Sequence, residues 1–140
     1  MGKIDNSRQA VALARILIEK KTQDEILGEY PVNNKRHYLI TTQKGLKYWM
    51  LYKRAFFMSF SKIFPNTDFK GPGDSINAEY LGKALNFDIH ALIYVYSNGF
   101  VYRLNPKEVF DYGHRFGTIR TTKSGERTYS FPLSVEARWK

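Results

Sequence analysis

The run GLKYWMLYKR, residues 45–54, alternates like a core strand and ends on two cations, Lys53 and Arg54, with no carboxylate beside them. Two cations at a strand end can hold a phosphate; without an acid they cannot hold a divalent metal. The acids downstream are Asp74, Glu79 and Asp88. Asp74 is placed to cap a helix and Asp88 to open a strand at solvent. His37, His90 and His114 lie far apart and form no HxH or HExxH pair, so no histidine metal site is expected. Ser59, Ser61 and Ser75 sit in no nucleophile elbow. Gly71 and Gly73 of GPGDSI lack the third glycine of a nucleotide cradle, so the stretch reads as a loop. The chain has no cysteine, which excludes disulfides, thiol chemistry and cysteine-ligated zinc.

These residues need elements to position them. Residues 6–21 predict an opening helix capped by Asn6 or Ser7, with Val11, Ala14, Leu17 and Ile18 inward and Leu13 and Ile16 widening the stripe. Thr22 and Glu25 have capping-box spacing and Gly28 is a stop, so 22–28 predicts a short second helical turn. RHYLITT and LKYWMLYKR predict a hairpin around QKG. On its second strand Tyr48, Met50 and Tyr52 share one face and Trp49, Leu51 and Lys53 the other, both mostly apolar, so both faces are expected to be covered. AFFMSFSKIFP reads as a strand or a short buried helix, and NTDFKGPGDS as a loop. A helix over 76–87, a strong strand over DIHALIYVYS, a tight turn at Asn98-Gly99 and a return strand FVYRL follow. Asn105 and Pro106 start a further helix, and a second hairpin turns around 123–125. The whole is one α/β (α+β) domain over residues 1–140, with a mixed central sheet flanked by helices and a C-terminal β-hairpin.

In element order, and in YWMLYK, residues 7–96 resemble the restriction-endonuclease-like superfamily. The resemblance is nearest to small archaeal and viral resolvases of the Holliday-junction type. That family's signature is Asp followed by (Asp/Glu)-x-Lys. Leu51-Tyr52-Lys53 occupies the second slot, so Lys53 keeps its place while Leu51 stands where the metal-binding acid belongs. The Asp slot falls near His37 or Tyr38. The resemblance implies DNA as partner and, in an active member, Mg²⁺ as cofactor. It offers Glu79 as a relocated catalytic acid beside Lys53, if the chain cuts at all.

Net charge is +9, and its distribution carries more information than its sum. Between Pro31 and Lys70 stand eight cations and one acid, Asp68, whereas the rest of the chain is nearly balanced. Such a segment suits a polyanion. Lys35, Arg36, Lys44, Lys47, Lys53 and Arg54 are the expected phosphate contacts, joined by Arg120, Lys123 and Arg127 around the last hairpin. Tyr48, Trp49, Tyr52, Phe56, Phe57, Phe60, Phe64 and Phe69 crowd the same stretch and read chiefly as core or a self-association surface, less as a base-stacking platform. No apolar run reaches membrane-spanning length and no signal peptide is evident, so an intracellular, cytoplasmic protein is expected. The expectation is a DNA-binding protein of nuclease-like fold, a possible homodimer, without metal-dependent cleavage. Its rivals are an active Mg²⁺-dependent endonuclease with a displaced acid and a structural protein that self-associates through its aromatic segment.

Overall fold

The computed structural model describes residues 3–32 and 34–140, and of residues 34 and 35 the backbone alone. Helix α1 (Ser7–Thr22) begins where the Asn6 side chain accepts from the Gln9 N–H, and ends on Gln23 in the left-handed conformation. It buries Ala10, Val11, Leu13, Ala14, Leu17 and Ile18, each large aliphatic stabilising by about 1.5–3 kcal/mol relative to exposure. Ile16 is not part of that stripe; it is 61% exposed. The expected second helical turn is absent. The Thr22 hydroxyl bonds back to the Ile18 carbonyl instead of capping forward, and β1 (Ile26–Val32) follows.

Strands β2 (Asn34–Thr42) and β3 (Lys47–Lys53) form the expected hairpin, with Gly45 at φ 86° in its turn. After β3 the chain runs irregularly to a one-turn helix α2 (Phe60–Ile63), a 3-10 turn at Pro65–Thr67, and β4 (Gly73–Asn77). Helix α3 (Ala78–Asn86) starts later than the sequence suggests, because Asn77 rather than Asp74 accepts the Glu79 N–H as cap. Then come β5 (Ala91–Tyr96), β6 (Val101–Leu104), α4 (Pro106–Phe116), β7 (Ile119–Thr121), β8 (Arg127–Pro132) and a two-residue β9 (Arg138–Trp139).

The main sheet has the order β1-β2-β3-β5-β6-β9, with β3 and β5 parallel and every other pair antiparallel. Joining parallel neighbours needs a crossover, and residues 54–90 supply it, carrying α2, β4 and α3. On one face α1 packs on Tyr48, Met50, Tyr52, Ile93 and Val95. On the other, Trp49, Leu51, Leu92, Tyr94 and Tyr96 meet Leu81 and Ala84 of α3 and the side chains of a second sheet, ordered β4-β8-β7. The closing hairpin therefore belongs to this second sheet. No described helix is long and apolar enough to cross a membrane.

Candidate nucleic-acid interface

Strand alternation puts Lys53 on the same face as Trp49 and Leu51, and the β2–β3 register sets His37 directly opposite Leu51. On the other side of β3, Leu51 pairs with Tyr94 and Lys53 with Tyr96. The layer above this face is β4, and it brings the carboxylate that the local sequence lacks. Asp74 is 3% exposed, and its Oδ1 lies 3.2 Å from the Lys53 ammonium. The same oxygen accepts the Ser75 N–H at 2.7 Å, while Oδ2 accepts the Tyr96 hydroxyl at 2.6 Å. The Tyr94 hydroxyl donates to the Ser75 carbonyl, and the Lys53 ammonium sits 5.5 Å from the Tyr94 ring centre. Burial, with the nearby Asp74 charge adding to it, pushes both tyrosine hydroxyls well above the usual phenol range, so they remain donors at any ordinary pH.

His37 closes the constellation. Its Nδ1 accepts from the Trp49 indole N–H at 3.2 Å, which requires a neutral ring with its proton on Nε2. Its pKa is lowered to about 4, first by burial and then by the charges of Lys53 and Arg36. Tyr80, from the first turn of α3, packs against the imidazole with ring centres 4.7 Å apart.

This donor set does not fit Mg²⁺. The ion needs several hard oxygens free to point at it, and Asp74 already has three donors on its two oxygens. Leu51 and His37 fill the neighbouring positions with groups unsuited to the ion. Glu79, the relocated acid of the sequence reading, is 75% exposed and paired with Lys83 at 3.5 Å along α3. Among the described residues no cluster of three potential ligands occurs.

The structure divides the basic segment. Lys47 and Lys53 stand at opposite ends of β3, about 20 Å apart at 3.3 Å per residue. At the turn end, Lys44 donates its N–H to buried Asp24 and the Lys47 ammonium donates to the Phe87 carbonyl. At the other end stand Lys53 and exposed Arg36 and Arg54. The Lys35 side chain lies outside the described part of the structure. Lys44, Lys47, Arg54, Lys62 and Lys70 are all exposed, and none has a carboxylate partner among the described residues. On the second sheet, Lys123 and Arg127 are exposed at the hairpin, while Arg120 lies 5.7 Å over the Phe64 ring. Of the crowded aromatics, Tyr48, Trp49, Tyr52 and Phe60 are core, and Phe56, Phe57, Phe64 and Phe69 are half-buried.

The Lys53–Asp74–Tyr96 network does not show in the local pattern of the sequence. A signal was available: Tyr94 and Tyr96 alternate in a wholly apolar strand, and buried phenols on a strand need partners. No family model, no curated protein and no solved structure matches this chain.

Proposed function

We propose that this chain binds DNA, duplex or branched, through phosphate contacts on a nuclease-like scaffold, and that it does not cleave with metal. One observation carries the reading. Five cations of the 31–70 segment stand exposed with no carboxylate partner among the described residues, in a chain of net charge +9. A charge excess left unmatched inside the protein is available to a polyanion. The element order α1, hairpin, α3, β5 and the place of Lys53 at the end of β3 support the scaffold half of the reading. On this reading the protein resides inside the cell, where it meets DNA.

Arg36 and Arg54, at the Lys53 end of the sheet, are the primary contacts, and Lys44 and Lys47 form a separate group at the turn end. Lys53 is a structural cation. Its ammonium holds a buried carboxylate and is not free to follow a phosphate.

The test is a binding panel of duplex, single-stranded and junction DNA at two salt concentrations, with Mg²⁺ and Mn²⁺ arms scored for cleavage. Salt-dependent binding without cutting is expected. The slope of log affinity against log salt should flatten by about 0.9 per lost duplex contact in Arg36→Gln/Arg54→Gln. An unchanged slope would remove these contacts. Mg²⁺-dependent nicking abolished by Asp74→Asn or Glu79→Gln would establish the active enzyme instead. The self-association reading is disfavoured because, of the rings of residues 48–69, Tyr48, Trp49, Tyr52 and Phe60 lie in the core and the other four are half-buried.

A further inference from the structure

Buried Phe60 is the hub of a ring cluster separate from the Lys53 site. Its ring contacts Phe64 at 4.9 Å, Phe69 at 6.4 Å and Tyr112 of α4 at 6.1 Å, and Tyr112 continues to Phe116 at 4.5 Å. From this buried centre the rings spread to the surface, where Phe116 is 44% exposed and Phe64, Phe69 and Tyr112 are half-buried. Cations interleave with them. The Arg120 guanidinium lies 5.7 Å from the Phe64 ring centre and that of Arg115 5.3 Å from Phe116, while Lys62 and Lys70 are exposed on the same crossover segment. Asp68 is the lone acid between residues 54 and 73.

We infer that this face is a stacking platform for single-stranded nucleic acid. Half-exposed rings anchored on a rigid hub offer π-faces at little entropic cost, and guanidinium groups beside them meet the phosphates between bases. The charge argues for this occupant over a second copy of the chain, since a self-paired face would set cation against cation. The platform adjoins the phosphate-binding end of the sheet through β4. Phe57 bridges Gly73, and Asp74 follows directly. The inference rests on the nucleic-acid reading and sharpens its substrate class, to DNA in which a duplex runs into an unpaired strand.

The experiment uses fluorescence anisotropy with the full chain and three probes: oligo-dT of about 15 nucleotides, a blunt duplex of similar length, and that duplex with a dT overhang. Expected are an overhang bound more tightly than the blunt duplex, and a loss of about fivefold for oligo-dT in Arg115→Gln with duplex affinity within about twofold. Phe116→Ala and Phe116→Leu should weaken oligo-dT alike, because leucine restores apolar area but not a ring. Oligo-dT affinity unchanged in these variants overturns the platform. So does a Phe116→Leu protein that behaves as wild type, or variants that alter only sedimentation or binding to phosphatidylserine vesicles. A wild-type chain that binds oligo-dT through this face but ignores the duplex would remove the duplex reading and leave the platform standing.

Discussion

Replacing Lys53 by Met separates a structural cation from a phosphate contact. The substitution keeps the length and apolar stem of the side chain and removes its charge. Asp74 would keep its bonds from the Ser75 N–H and the Tyr96 hydroxyl but would be a buried carboxylate without a counter-charge. Breaking a fully buried pair from one side costs about 3–5 kcal/mol; with the Lys53 side chain 29% exposed, the expected cost is about 2–3 kcal/mol. Asp74→Asn should cost about 1–2 kcal/mol, since its amide oxygen can still accept from Ser75 and its NH2 can donate to the Tyr96 hydroxyl oxygen while Lys53 turns to water. The double variant leaves no unpaired buried charge, so its destabilisation should fall short of the sum by about 1–2 kcal/mol. Urea unfolding at pH 7 measures all four corners of the cycle, provided the slopes match. High salt should leave the coupling largely intact, because the carboxylate is hidden from solvent. Single-variant effects that add within about 0.5 kcal/mol would refute the pairing argument. A large loss of DNA affinity in Lys53→Met, with stability unchanged, would return Lys53 to the phosphate contacts.

His37 makes stability depend on pH. Its folded pKa of about 4 lies below the ordinary 6.5, so the unfolded chain binds more protons between these values, and stability should fall as pH drops through that window. Discounted for solvent screening, the shift corresponds to about 2–3 kcal/mol. His37→Gln should flatten the dependence between pH 6.5 and 4, and a slope identical to wild type would contradict the assignment. Gly73→Ala should destabilise by about 2–3 kcal/mol, because the added methyl runs into the Phe60 ring and lies 2.9 Å from the Phe131 carbonyl oxygen; thermal unfolding checks this, and a neutral result would mean that α2 packs differently.

The parts of the fold legible in the sequence are those set by neighbours along the chain. The β2–β3 and β5–β6 hairpins, the Asn105-Pro106 start of α4 and the two-sided burial of β3 all follow from local chemistry. β1 was hidden by the capping-box spacing of Thr22 and Glu25, since α1 runs one residue further and uses the Thr22 hydroxyl itself. β4 was hidden because GPGDS is rich in turn formers and its partner β8 lies more than fifty residues away. For the same reason Asp74 read as a cap: its three donors come from three strands' worth of chain, two of them distant. The basic segment misled in another way. Cations adjacent in sequence were separated in space by the length of the strand that carries them.

The dependence of β4 on β8 also orders events in time. Apart from the single Phe57–Gly73 bridge, β8 is the one strand partner of residues 73–77 among the described residues, so no ladder holds Asp74 over Lys53 until residues 127–132 exist. At about 5–20 residues per second, the intervening stretch of about 55 residues takes roughly 3–11 s to synthesise. Through that interval strands β1 to β3 can already pair, but Lys53 lacks its buried partner. Until then both Lys53 and Asp74 face solvent, and docking of the β7–β8 hairpin is the step that buries the carboxylate against the ammonium.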